Sequence, residues 1–127
     1  MKRIVISIVV ILVVGLGIWY AFGGQKKAVE FGQGVGEKLV QIGDIQKNPD
    51  KYLNQIVTVE GELTKECPSS GCWWYLKDNS GEIRADSFGS GFALPLNQTG
   101  KWFRTTGKVI KTEGGELEIS ATGAKAK

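Results

Sequence analysis

The sequence predicts an all-β domain, a small five-stranded Greek-key barrel, carried behind a single N-terminal apolar helix. Three observations predict it. From Val57 onward hydrophobic residues recur at every second position, the period of a half-buried strand. The strand-like runs are short and separated by turns rich in Gly, Asn, Asp and Ser. Beyond residue 28 no segment has the length or the period of a long helix, so the core must be built from sheet.

The first element is the apolar one. Residues 4–22 form a run of 19 without a charge, preceded by Lys2 and Arg3. A helix needs roughly 20 apolar residues to cross a bilayer. Trp19 and Tyr20 fall near the far end, where amphipathic rings favour the headgroup zone. A cleaved signal peptide would instead show an apolar core of about 7–15 residues and a small-residue cleavage site, for which Ala21-Phe22-Gly23 is the nearest fit. The length of the run and the bulky rings before that point favour a retained transmembrane anchor over residues 1–24. No cysteine stands there, which excludes lipoprotein processing. Lys2 and Arg3 nearly balance Lys26 and Lys27 across the run, so positive charge orients it weakly. A very short N-terminal tail normally stays inside. The expected location is therefore a single-pass protein of the cell membrane with its domain on the extracytoplasmic side.

Charge narrows the partner. The chain carries 16 basic and 13 acidic residues, a net +3. Four of the basic residues flank the apolar run, so 12 remain from Ala28 onward against all 13 acidic ones, a net −1 for that part. A nucleic-acid-binding domain is expected to present a net basic face. This composition makes nucleic acid an unlikely partner.

Residues 25–41 contain Gly32, Gly34 and Gly36 and are expected to be a flexible linker. Their spacing is not that of a phosphate-cradling loop, and no strand precedes them. The domain is expected over residues 42–122. It opens with a brief helical turn, with Asp44 as candidate cap and Pro49 disfavouring helix at Asn48; Ile42, Ile45, Tyr52 and Leu53 are its candidate buried contacts. Val57, Val59, Gly61 and Leu63 then face inward on the first strand, where Gly61 marks a bulge or bend. Residues 72–77 form the second strand, and Asp78-Asn79-Ser80-Gly81 a hairpin turn. Residues 82–87 form the third, with Ile83 and Ala85 inward. Residues 88–100 are irregular and broken by Pro95. Residues 101–111 form the fourth strand, Gly114-Gly115 a turn, and residues 116–121 the fifth. The tail, residues 123–127, is small and polar and expected to fray.

The series Ile45…Asn48-Pro49…Tyr52…Val57-Thr58-Val59-Glu60-Gly61, followed by Leu76-Lys77-Asp78-Asn79-Ser80-Gly81-Glu82-Ile83, resembles exported bacterial OB-fold proteins. With Gly71-Cys72-Trp73 added, it is similar to an uncharacterised OB-like family in which a Cys-rich turn precedes a Gly-Cys-Trp strand. The resemblance covers residues 42–121. It implies a five-stranded OB-fold-like barrel and leaves function open, because one fold hosts many functions.

The chain contains no histidine. That removes the usual general base and the commonest metal ligand together, and neither a Ser-His-Asp nor a Cys-His system can be assembled. Membrane-anchored OB domains that chaperone haem use a covalent histidine, so that analogy fails here. The expected activity is non-enzymatic, with no catalytic residues, no metal and no cofactor. Cys67 and Cys72 admit three readings. A disulfide closing the loop between the first two strands is favoured on compartment grounds. A redox pair would have CxxxxC spacing rather than CxxC, and a metal site would have only half of a tetrahedral shell. Strand alternation places Trp74 and Leu76 inward with Cys72, and puts Trp73, Tyr75 and Lys77 outward, joined by Arg84 and Asp86 from the third strand. OB folds commonly bind extended ligands on this face. Trp73, Tyr75, Lys77, Arg84, Asp86 and Trp102 are therefore the candidate ligand-binding residues, unless residues 88–100, with Phe88, Phe92 and Leu94, cover them. The expected function is a membrane-anchored binding module for an envelope protein or polymer. Redox or metal handling at Cys67 and Cys72 is the alternative, and single-stranded nucleic-acid binding a further one.

Overall fold

The computed structural model describes residues 2–22 and 29–127. Along the chain these form α1 (Lys2–Phe22), β1 (Glu30–Gly32), α2 (Ile42–Lys47), α3 (Pro49–Tyr52), β2 (Ile56–Glu66), β3 (Trp73–Lys77), β4 (Glu82–Asp86), β5 (Trp102–Lys111) and β6 (Leu117–Ala126). The side chains of α1 are described only as far as Ile18, and every one from Lys2 to Ile18 is exposed. Among the described residues, no helix is long and apolar enough to cross a membrane.

The barrel is assembled around β2, the longest strand. Its first half pairs antiparallel with β5, from Ile56 opposite Lys108 to Glu62 opposite Trp102. Its second half pairs with β3, from Glu62 opposite Lys77 to Glu66 opposite Trp74. β3 and β4 form a hairpin, β4 runs parallel to β6, and β6 returns antiparallel along β5. The circuit β2–β3–β4–β6–β5–β2 is closed, with one parallel step. This is an OB-like fold, and closure leaves none of the five strands as a bare edge.

Glycine permits the handover between the two halves of β2. A Cβ on Gly61 would lie 2.6 Å from the Lys77 carbonyl oxygen, so only a residue without a side chain lets β3 approach there. The register shift itself falls slightly later, between Leu63 and Lys65. The inward residues form one core whose largest members are Trp74 and Phe103, both fully buried. The indole Nε1 of Trp74 donates to Thr105 Oγ1 at 3.2 Å, which satisfies the one polar atom that ring brings inside.

α2 seats Ile42 and Ile45 on this core. Asp44 does not cap it: Gln41 is the N-cap residue and makes no side-chain cap. The cap comes from the β3–β4 turn instead. Asp78 Oδ2 accepts from the Ile42 amide at 3.0 Å, while Oδ1 accepts from Ser80 N, Ser80 Oγ and Gly81 N. Burial pushes the Asp78 carboxyl up, but these donors outweigh it and hold the group below its ordinary range. Pro49 opens α3, as expected of a residue that stops the preceding helix.

Two expectations are corrected here. Within the expected linker over residues 25–41, the described part is an ordered strap. β1 pairs with β6 from Glu30 opposite Lys125 to Gly32 opposite Gly123. Residues 33–40 then cross the outer face of β6, β5 and β2. Gln33 N donates to Thr122 O at 2.8 Å, Gly36 N to Thr106 Oγ1 at 2.9 Å, and Val40 N to Thr58 O at 2.8 Å. The glycines serve close approach: a Cβ on Gly36 would sit 2.5 Å from Thr58 Oγ1, and one on Gly123 only 2.0 Å from the Gln33 carbonyl. The expected frayed tail over residues 123–127 is corrected with it, because β6 continues to Ala126, held between β1 and β5, with Ala124 in the core.

Candidate binding face and thiol pair

The β3–β4 hairpin presents its outward residues as the alternation requires. Trp74, Leu76, Ile83 and Ala85 fill the barrel, and Trp73, Tyr75, Arg84 and Asp86 lie half-buried outside, with Lys77 exposed. Cross-strand register sets Trp73 opposite Asp86 and Tyr75 opposite Arg84. The two rings meet edge to face at 6.0 Å and 89°. The Arg84 guanidinium lies 5.5 Å from the Trp73 ring and the Lys65 ammonium 5.7 Å from Tyr75. Arg84 also bonds Asp86 at 3.1 Å and, more closely, Glu118 on β6. It is therefore locked between an aromatic face and two carboxylates.

Among the described residues, neither the Trp73 indole nitrogen nor the Tyr75 hydroxyl has a hydrogen-bond partner, so both polar handles are free for a ligand. The loop over residues 88–100 does not close this face. Phe92 packs on Trp74, with ring centroids 6.1 Å apart, and Leu94 is buried, so the loop covers the barrel end instead. Its Phe88 is 83% exposed. Two shallow clefts flank the hairpin. One, of about 370 Å³, is lined by Lys65, Cys67, Trp73 and Leu96; the other, of about 460 Å³, by Tyr75, Arg84, Gln46 and Leu117.

Trp102 is not gathered with the others. It is 44% exposed at the start of β5, opposite Glu62, and carries the Lys127 ammonium 5.6 Å from its ring. The nearby outer surface is closed by its own charges. Glu60 takes Arg104 at 2.8 Å on one oxygen and Lys127 at 2.8 Å on the other. The Lys127 bond is the chief reason its carboxyl is held below the ordinary range.

The expected Cys67–Cys72 disulfide is corrected: both thiols are free. Residues 68–70 turn so that the Ser70 hydroxyl lies between the sulfurs, 3.2 Å from each. Gly71, at φ 65°, then sends the chain into β3 beneath the Leu94 carbonyl, where a Cβ would be only 2.0 Å away. Hydrogen bonds from Ser70 and Ser69, side chain before backbone, lower the Cys67 thiol to about 5.

Glu118, Lys65 and Ser70 are the participants that strand alternation alone does not reveal. Glu118 reaches Arg84 only because β4 and β6 pair in parallel, a contact between residues 34 positions apart. No family model and no curated protein matches the chain. Among solved structures, the hypothetical protein ygiW from E. coli is similar over 75% of this chain and 100% of its own, with 17% identity and a TM-score of 0.49. The OB-like assignment rests on strand order and register, not on that likeness.

Proposed function

We propose that the chain is a membrane-tethered, non-enzymatic binding module that holds an extended segment of an envelope protein or polymer against the outer face of β3 and β4. The observation that carries this reading is the pair Trp73 and Tyr75, half-buried, set edge to face, with both polar handles unpartnered among the described residues and a cation over each ring. Fixed rings lose little conformational freedom on binding, so contact area converts efficiently to affinity. Two flanking clefts leave room for the ligand to run along the hairpin. The strap already occupies part of the outer face of β6, β5 and β2, while the outer face of the β3–β4 hairpin has no such cover among the described residues.

The tether is supported by the sequence. The uncharged run continues beyond Ile18 to Phe22, 19 residues in all, close to the roughly 20 that a spanning helix needs. A helix apolar on every face is not stable in water, and the described part of α1 exposes its Ile, Val and Leu residues all round. Tethering raises the local concentration of a membrane-side partner, so a modest intrinsic affinity suffices. The extracytoplasmic placement belongs to the same proposal.

The test is crosslinking of the full chain in its native membrane, comparing the natural protein with the Trp73→Ala/Tyr75→Ala double variant. The double variant is expected to lose the crosslinked partner while keeping its thermal midpoint within a few degrees, since neither ring is in the core. Undiminished capture by the double variant would refute the site.

A further inference from the structure

We propose that Cys67 and Cys72 together form a two-thiolate site for a soft, thiophilic monovalent cation, with Cu(I) as its probe. This does not depend on what the outer face binds. Three features carry it.

The thiols are free and they converge. Each sulfur lies 3.2 Å from the same Ser70 oxygen, so their separation cannot exceed twice that distance. The group between them is also easily moved. Ser70 is exposed, and its hydroxyl has no partner among the described residues other than the two sulfurs. One rotamer step turns it to solvent, where water replaces both weak contacts. Thiolate–metal bonds of about 2.3 Å would then require the sulfurs to lie within about 4.6 Å, a closure of at most about 2 Å shared between two side chains at a turn.

The surroundings favour a cation. The cleft that reaches Cys67 also carries Glu66, whose Oε1 accepts from Gln98 N, Thr99 N and Thr99 Oγ1. Its Oε2 is buried with no hydrogen-bond partner. A carboxylate left under-satisfied there biases the cleft toward positive charge. The one lysine on that wall, Lys65, directs its ammonium to the Tyr75 ring.

Charge and coordination number select the ion. Zinc wants four ligands, and among the described residues no group of three or more Cys, Asp or Glu is placed to hold an ion. Thiolates favour Cu(I), zinc and iron–sulfur clusters alike, and of these only the soft d¹⁰ monovalent Cu(I) is satisfied by two. On binding, whatever proton either sulfur still carries passes to solvent and each thiolate donates an electron pair to the ion. Copper remains Cu(I), nothing is oxidised, and the complex carries one negative charge.

The experiment is anaerobic titration of the full, detergent-solubilised chain with Cu(I) against a competing Cu(I) chelator. The natural protein is expected to take one ion per chain, with a change in fluorescence from Trp73, the residue next to Cys72. Cys67→Ser and Cys72→Ser should each weaken binding by roughly two orders of magnitude or more, beyond the 10–100-fold typical of losing a mere outer-shell partner. Ser70→Ala should keep the site. Natural affinity in either single-thiol variant, or one ion per two chains, would overturn the proposal. Should a variant fail to fold, X-ray absorption of the natural Cu(I) form decides: two sulfur neighbours support the site, and oxygen or nitrogen neighbours overturn it.

Discussion

The strap can be lifted by a single methyl group. In Gly123→Ala the new Cβ would lie 2.0 Å from the Gln33 carbonyl oxygen and 3.1 Å from that of Gly34. Both are backbone atoms, so no side chain can swing aside. The backbone at position 123 is outside the left-handed region, so the effect is steric and not a matter of φ. Lifting residues 30–36 removes the Gln33–Thr122 and Gly36–Thr106 bonds and part of the β1 ladder. At about 1 kcal/mol each these total about 2–4 kcal/mol. Regained chain freedom returns some of it, leaving a net destabilisation of about 1–3 kcal/mol. Thr106 keeps its 2.7 Å bond to Thr58, so β5 and β2 stay joined beneath. Urea unfolding reads the loss, and hydrogen exchange locates it: amides of residues 30–36 should lose protection while those of β5 and of β6 where it pairs with β5 keep theirs. Gly34→Ala is the control, since nothing lies within 4 Å of its Cβ, and should be neutral within about 0.5 kcal/mol. An unchanged midpoint with Gln33 and Gly36 still protected would refute the strap's position. Loss of protection throughout the barrel would refute its independence.

Three further outcomes are expected. In a Cys72→Ser background, alkylation of Cys67 should be half-maximal near pH 5 instead of near the ordinary thiol value of 9.0, and Ser70→Ala should move it back up; a midpoint above 8 in the Ser70-containing protein would contradict the hydrogen-bonded turn. The sign for stability follows, since a depressed acid favours the fold above its unfolded pKa: this contribution is complete above about pH 9 and vanishes as pH falls to about 5. Asp78→Ala should cost about 1–3 kcal/mol and free the first turn of α2, because one carboxylate caps that helix and closes the β3–β4 turn; its depressed pKa means the stabilisation is present at neutral pH and is lost as pH falls through the acid range below 3.8, visible as a smaller acid-side loss in the variant. Glu118→Gln should cost about 0.5–1 kcal/mol, discounted because Arg84 is about a third exposed, and should shift Trp73 fluorescence as the guanidinium loosens; unchanged fluorescence would show that Glu118 does not hold Arg84 over the ring.

What the sequence disclosed was whatever depends on period and local turn chemistry. Alternation alone separated Trp74 and Leu76 from Trp73 and Tyr75, and Asp78-Asn79-Ser80-Gly81 identified its own turn, because both are set within a few residues. What it withheld depends on long-range pairing. Gly32, Gly34 and Gly36 read as flexibility, since glycine lowers the cost of disorder and of close approach alike. Only the position of Thr58, Thr106 and Gly123 beneath them distinguishes the two. The tail misled for the same reason: Gly123, Ala124 and Ala126 are poor strand formers in isolation, and they are held because β1 and β5 supply both ladders. The free thiols were missed because compartment and spacing say nothing about a serine hydroxyl placed between them.

The strap also bears on where a partner can sit. An OB-like barrel offers two broad outer surfaces, and this chain spends one on itself. Gly36 lies on Thr106 and Thr58, while Glu60 pairs with both Arg104 and Lys127 beside them. Any ligand there would have to displace backbone hydrogen bonds and desolvate ion pairs already satisfied, each costing on the order of 1 kcal/mol or more before any contact is gained. On β3 and β4 the position is reversed. The rings already meet edge to face, their polar atoms have no partner among the described residues, and Arg84, one of the two cations over them, is itself held by Asp86 and Glu118. On the proposed reading, a ligand on the hairpin breaks no such backbone bonds, and this difference in cost, more than the aromatic composition alone, is the reason to place it at Trp73 and Tyr75.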